Sequence, residues 1–375
     1  MNYKKEITNH YKCRICNSSK IVDLIKFRKT PIEDNYIKKI NKKLKQKIYP
    51  LTLSICKNCL YVHLRHTIDP YLSYQKYLYK TSTTSGLSSH YDKNALKDIK
   101  KFKLNKNSIV LDIGSNDGSM LNSFKKNKIK VLGVEPAKNI AIFANKNKIE
   151  TINSYFDDAC AVKIKKKFGL INFITANYML ANVLNLNQFF NNINKILDPN
   201  GIFLIETGYH PTQFKIFMFD YIYHEHFSYF TISFFTKFLQ KFNLFIYDLA
   251  ETAPKGGSIK IYIKKMSNNS KPKKIVNYFV NNEKKQKINS ISYYRKFNKS
   301  ILVKKNQIIK LLEKLKNNNN IIVGIGASHS VTTLIYNFEL RKYLSYLVDD
   351  NQIKHNTYSP GYNIPVYSTK KIYMN

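Results

Sequence analysis

The run Ile109-Val110-Leu111-Asp112-Ile113, followed at once by Gly114-Ser115-Asn116-Asp117-Gly118, constrains this chain more than any other stretch. Apolar residues that dominate without alternating read as a strand buried on both faces, and such strands belong to parallel sheets covered by helices. The glycines then demand a tight turn into a helix that starts near Ser119. A second strand, Val131-Leu132-Gly133-Val134, ends in Glu135. The unit is a βαβ crossover, and the fold class it predicts is α/β with a Rossmann-like sheet.

The turn also limits what can bind. The dinucleotide pattern GxGxxG is not met, because Asn116 stands at the middle glycine and keeps a pyrophosphate from close approach. The pattern D-x-G-x-N-x-G, Asp112 through Gly118, suits S-adenosylmethionine (SAM), whose tail is an amino acid instead of phosphates. Glu135 stands where a carboxylate accepts hydrogen bonds from ribose hydroxyls. A purely structural turn would also account for the glycines. Further strands are expected at 170–174 and 201–206. Between them Asn177-Tyr178-Met179-Leu180-Ala181-Asn182 falls at the carboxyl end of the fourth strand, where α/β sheets gather ligand contacts. The expected cofactor residues are Asp112, Gly114, Asn116, Gly118, Glu135 and Asn177.

Just after the fifth strand comes Tyr221-Ile222-Tyr223-His224-Glu225-His226-Phe227-Ser228-Tyr229-Phe230. Histidine and glutamate titrate near neutrality once burial shifts them, and aromatic walls provide burial. Zinc chemistry of the HExxH type is excluded, because Ser228 stands where its second histidine belongs. His224 and His226 share a face only if the segment is extended. The stretch reads either as an acid/base cluster or as a polar turn with two exposed histidines.

Four of the five cysteines form two knuckles, Cys13-Arg14-Ile15-Cys16 and Cys56-Lys57-Asn58-Cys59, separated by 39 residues. Two CxxC pairs supply four thiolates to one tetrahedral zinc and leave no position for water, so the site is structural. The insert exceeds the usual spacing and must fold back, punctuated by Pro31 and Pro50. Cys160 stands apart and reads as a small core residue. A tyrosine-rich passage, Tyr71-Leu72-Ser73-Tyr74-Gln75-Lys76-Tyr77-Leu78-Tyr79-Lys80, followed by hydroxyl residues 81–85, suits a loop or lid better than a helix interior.

Toward the end, the strands 244–249 and 258–263 meet at Pro254-Lys255-Gly256-Gly257-Ser258. A polar linker at 264–274 and a lysine-rich helical region to about 316 follow. A second βαβ unit then begins at Ile321-Ile322-Val323-Gly324-Ile325-Gly326-Ala327-Ser328-His329, with Asp349 near the end of its next strand. As a dinucleotide site it is incomplete, since His329 replaces the third glycine, and ligand contact and plain scaffold both stay open.

The net charge of +38 would fit a nucleic-acid binder, but only five of the 62 basic residues are arginine. Base readers rely on bidentate arginine, and these lysines are spread along the whole chain, so a solvated surface is expected. No run of about 18 apolar residues exists and Met1-Asn2-Tyr3-Lys4-Lys5-Glu6 lacks a signal core, which predicts a cytoplasmic protein with no membrane partner.

Taken together, the four-cysteine knuckle, the Asp112–Gly118 turn, Tyr223-His224-Glu225-His226, Gly256-Gly257-Ser258, the 324–328 turn and Pro360-Gly361-Tyr362-Asn363-Ile364-Pro365 occur in one order. In that order they resemble the SAM-dependent C-methyltransferases of nucleotide-linked 4-keto-6-deoxysugars. The resemblance runs over nearly the whole chain. It implies a zinc-binding unit (1–68), a methyltransferase (69–266) and a C-terminal Rossmann-like unit that binds a nucleotide sugar (267–375); the protein is expected to act as a monomer without nucleic acid. It also implies that His226 is the base that takes the C3 proton, beside Tyr223 and Glu225, with His224 lining the pocket. Tyr79 in the loop best matches a tyrosine of the family's active site, with Tyr77 as the fallback. Two positions depart from the pattern. Asn182 stands where many members have histidine and cannot transfer a proton at neutral pH, and Lys255 replaces a histidine before Gly-Gly-Ser. O- or N-methyl transfer to another small molecule, or a nucleic-acid-binding protein with reduced catalysis, are the alternatives.

Overall fold

The computed structural model describes residues 6–41, 45–74, 81–83, 86–267 and 269–373. The N-terminal segment contains strands β1 (Ile7–Asn9), β2 (Ile21–Lys26), β3 (Thr52–Cys56), β4 (Val62–Leu64) and β5 (His66–Ile68). β2, β3 and β4 form an antiparallel meander, while β1 pairs with β5. The long insert between the knuckles does fold back. Its Thr30 and Tyr49 pair across a bridge near the two prolines.

The middle of the chain supplies β6 (Ile109–Ile113), β7 (Lys130–Val134), β8 (Thr151–Ile152), β9 (Ile171–Asn177), β10 (Leu197–Gly208), β11 (Ser228–Tyr229), β12 (Leu244–Thr252) and β13 (Ser258–Lys265). Seven of them form one sheet in the order β12-β13-β10-β9-β6-β7-β8. β6 through β10 run parallel, whereas β13 is antiparallel to both β10 and β12. The expected polar linker at 264–274 therefore starts inside β13. The connections from β6 lead outward to β7 and β8, then return to β9 on the other flank. That reversal opens a crevice at the carboxyl ends of β6 and β9, the place where open α/β sheets bind ligands. Val110, Leu111, Phe173 and Ile174 are fully buried between helices on both faces, as their apolar composition requires. Cys160 is buried in the same core.

The turn after β6 shows why glycine is needed. Gly118 has φ +79°, and a Cβ there would lie 2.9 Å from Cγ2 of Ile149. Any side chain would force the following helix, Ser119–Lys125, off the sheet.

β11 leaves the central sheet and instead forms the edge of the N-terminal one, Ser228 opposite His63 and Tyr229 opposite Val62. The histidine-rich stretch before it is consequently not extended. A turn at residues 224–225 sends its two histidines to different surroundings.

The lysine-rich region forms two helices, Lys274–Lys285 and Ile291–Asn317, the second capped by Ser290 accepting from the Tyr293 N–H. Tyr294, Phe297 and Ile301 make its buried stripe, with Phe297 stacked on Phe214 at 4.1 Å. Beyond it, β14 (Val323–Ile325), β15 (Tyr346–Asp349), β16 (Thr357–Tyr358) and β17 (Pro365–Ser368) form a second sheet, parallel apart from β16. Among the described residues no helix is long and apolar enough to cross a membrane.

Candidate active site

A cavity of about 700 Å³ lies at the crevice between β6 and β9. Gly114, Asn116, Glu135, Asn177 and Asn182 line it, and Tyr155 and Phe156 give it an apolar wall. Its size is that of a pocket for a ligand as large as SAM. Each oxygen of Glu135 accepts one backbone N–H, from Asn116 at 3.0 Å and Ala137 at 2.8 Å, which leaves lone pairs for hydroxyls. Asp112 and Gly118 do not line the cavity. Asp112 lies beneath it, accepting from Thr175 Oγ1 at 2.7 Å and Asn177 Nδ2 at 3.2 Å. Burial pushes its carboxyl up to about 7, against those two hydrogen bonds. Asp112 thus orients Asn177, and Gly118 shapes the turn. The residues present fit SAM, with Glu135 and Asn177 placed to hold it.

A smaller cavity of about 130 Å³ lies next to this one. Tyr223 and His226 from the histidine-rich stretch, Thr207 and His210 from the end of β10, and Ser328, His329 and Ser330 from the turn after β14 enclose it. Tyr178 and Lys255 line both cavities. His226 Nδ1 donates to the carbonyl of Tyr221 at 3.1 Å, so its Nε2 carries the lone pair and accepts from the Tyr223 hydroxyl at 2.9 Å. Burial drives the imidazole down to about 3, which keeps it neutral. Glu225 is buried, and burial together with Glu33 and Asp34 pushes its carboxyl well above the usual range. His329 approaches both Asp34, at 3.5 Å, and Glu225, at 3.9 Å.

His224 lines neither cavity. Its backbone N–H and its Nδ1 both donate to Oε1 of Glu33, at 3.0 and 2.8 Å, in a wholly buried pair. Asn182 lines the larger cavity and not the smaller one. Tyr77 and Tyr79 lie outside the described residues.

Behind the site, Glu206 accepts from His90 Nε2, Tyr178 Oη and Thr252 Oγ1 at 2.8, 3.0 and 2.8 Å. Burial works to raise this carboxyl, but the bonds from His90 and Thr252 and the charges of His90 and Lys260 outweigh it and hold Glu206 below its ordinary range. Neither Glu206 nor the Glu33–Asp34 pair carries a local sequence signal. Both reach the site through contacts between residues distant in the chain, so only the folded structure shows them.

The four cysteines converge. Their sulfurs all lie within 4.8 Å of one another, and Cys13–Cys59 and Cys16–Cys56 are 3.6 Å apart. A tetrahedral zinc with bonds of about 2.3 Å spaces its sulfurs by about 3.8 Å, so the set fits the metal.

A zinc binding domain family matches residues 13–74, a methyltransferase domain family residues 88–249, and a C-methyltransferase C-terminal domain family residues 253–375. The chain is 26% identical over 360 residues to the C-methyltransferase NovU of Streptomyces niveus, covering 96% of this chain and 86% of that one. The chain is a SAM-dependent methyltransferase similar to the C-methyltransferases. Among solved structures, the chain is similar to a SAM-dependent methyltransferase from Clostridium acetobutylicum, with 12% identity, TM-score 0.38, and coverage of 49% of this chain and 93% of that one. It is also similar to the PH0226 protein of Pyrococcus horikoshii, with 14% identity, TM-score 0.41, and coverage of 52% and 98%.

Proposed function

We propose that this methyltransferase acts at C3 of a nucleotide-linked 4-keto-6-deoxysugar. The observation that carries the reading is the adjacency of the two cavities. One has the size and contacts for SAM, and the other, sharing Tyr178 and Lys255 with it, holds a neutral imidazole beside a phenol. A ketone at C4 acidifies the hydrogen on C3, so a neutral imidazole placed against it can act as the base. The hydrogen bond from Nδ1 to Tyr221 fixes the tautomer of His226 and leaves Nε2 to take the proton. The Tyr223 hydroxyl, which caps Nε2 at 2.9 Å, turns aside or passes the proton on. The C3–H electron pair becomes the enolate. SAM, when bound, supplies a methyl group on a sulfonium for the enolate carbon to attack. Burial around Tyr223, His226 and Glu225 excludes the water that would return a proton to C3. Ser328 and His329 bring the C-terminal segment against this pocket, which supports a nucleotide sugar held between it and the methyltransferase.

The test is incubation in deuterated water with dTDP-, GDP- and CDP-linked 4-keto-6-deoxyhexoses, with and without SAM. Deuterium at C3 without SAM and a gain of one methyl with SAM are expected. Absence of both from every sugar overturns the reading, and methylation without exchange reassigns the enzyme to O-methyl transfer.

A further inference from the structure

Lys255 lies on the seam between the two cavities, and it is the sole lysine or arginine among the described residues that line either one. Its backbone is held in a costly conformation. Lys255, Gly256 and Gly257 have φ of +55°, +75° and +106°, a left-handed run that turns β12 into β13. Glycine tolerates such angles, whereas lysine does so against steric strain. The surroundings enforce it. Gln213 Nε2 donates to the Lys255 carbonyl at 3.1 Å, and a Cβ on Gly257 would lie 2.5 Å from the Thr212 methyl. The ammonium sits 4.4 Å from the centre of the Tyr178 ring, whose hydroxyl is held by Glu206. A strained backbone that aims one cation at the junction of two cavities calls for a chemical role.

The reaction proposed above needs charge stabilisation at that place. As the C3–H bond breaks, negative charge gathers on the C4 oxygen, and a positioned donor or cation must meet it. His226 is neutral, and burial lowers His329 as well. Lys354 lines neither cavity and is held by Asp34 and the Ala327 carbonyl.

We propose that Lys255 is a catalytic residue whose ammonium hydrogen-bonds the C4 oxygen of the substrate and stabilises the enolate. This rests on the C3-methylation reading. The C3–H proton goes to His226 Nε2, the C–H pair forms the C3=C4 bond, and the carbonyl π pair moves to the oxygen beside Lys255. In the second step the oxygen pair restores the carbonyl, the C3–CH3 bond forms, and the S–CH3 bond breaks with its pair left on sulfur. Burial pulls the Lys255 ammonium down to about 8, against Glu206 and Glu225, which raise it. The required cation is therefore present below pH 8 and is lost as pH rises past it. The groups facing it at the seam are Glu206, Glu225, Tyr178 and the imidazoles of His226 and His329.

The experiment compares wild type with Lys255→Met and Lys255→Arg, using the 4-keto-6-deoxyhexose nucleotide on which wild type exchanges C3 deuterium fastest. Exchange without SAM, methyl transfer, SAM affinity by calorimetry and the pH profile of exchange are read. Lys255→Met is expected to lose exchange and methyl transfer together by about 100-fold or more, with SAM affinity changed less than about threefold. In Lys255→Arg, exchange stays within about tenfold and persists at pH 9, where wild type declines, because guanidinium does not deprotonate there. Wild-type exchange in Lys255→Met, with weakened SAM binding, overturns the proposal and makes Lys255 a cofactor contact. An alkaline decline that survives in Lys255→Arg overturns it too, and decides the matter if Lys255→Met fails to fold. Wild type that exchanges with no sugar refutes the C3 reading itself and this inference with it.

Discussion

The guanidinium of Arg14, inside the first cysteine knuckle, donates from Nη2 to the carbonyl of Phe227 at 2.7 Å, one residue past His226. The same side chain reaches the Leu184 carbonyl at 2.8 Å, in the loop that lines the larger cavity, and the Tyr61 hydroxyl at 2.8 Å. Leu64 N also donates to Phe227 O, and Phe227 N to Ala181 O. The knuckle thus clamps the segment that carries His226 against the loop that carries Asn182.

From this clamp it follows that removing zinc disturbs catalysis at a distance. Purified protein is expected to hold one zinc per chain by elemental analysis, and Cys56→Ser to lose it. Arg14→Ala, which keeps all four thiolates, should cost about 2 kcal/mol of stability by removing charge-assisted hydrogen bonds to the Phe227 and Leu184 carbonyls. Its turnover should fall about tenfold or more while zinc content stays whole. Unchanged turnover would mean that the clamp does not position the loop.

His226→Asn offers a sharper outcome. Asparagine can still donate to the Tyr221 carbonyl but cannot accept a proton from carbon. Exchange at C3 is expected to drop by about 1,000-fold or more, with SAM affinity unchanged in calorimetry. Exchange that survives would move the base elsewhere.

The buried pair of Glu33 and His224 bears on stability. Side-chain exposure is 0% and 1%, and Oε2 of Glu33 and Nε2 of His224 make no hydrogen bond among the described residues. Glu33→Ala leaves the imidazole without its acceptor and should cost about 3 kcal/mol or more. Glu33→Gln retains an acceptor and should cost less. Thermal melting of the two variants checks the order.

Acid lability follows from two other histidines. Burial lowers His63 to about 3 and His210 to about 4, against an ordinary 6.5. A depressed imidazole contributes stability that is fully present above 6.5 and is lost as pH falls toward the folded value. Each therefore removes about 3 kcal/mol between pH 6.5 and 4. Melting temperature should fall steeply across that window, and His210→Phe should flatten its share of the decline.

Several parts of this protein are legible in the residues alone. The apolar run 109–113 must be buried on both faces, and the glycines after it must turn, whatever surrounds them. The CxxC spacing brings sulfurs into pairs because two intervening residues form one tight turn, and the structure closes the four into one cluster. Tyr223, Glu225 and His226 are neighbours in sequence, so their proximity is local.

The rest was decided by contacts between distant residues. Nothing near residue 224 tells that its turn hands His224 to Glu33, 191 positions away. The departure at Lys255 is visible in the sequence, but its place between two cavities is not, because the far walls come from Tyr178, His226 and His329. Local geometry follows from backbone sterics and hydrophobic period, which each segment carries within itself. The charge environment of the site depends on which groups are buried together, and only packing of the whole chain sets that.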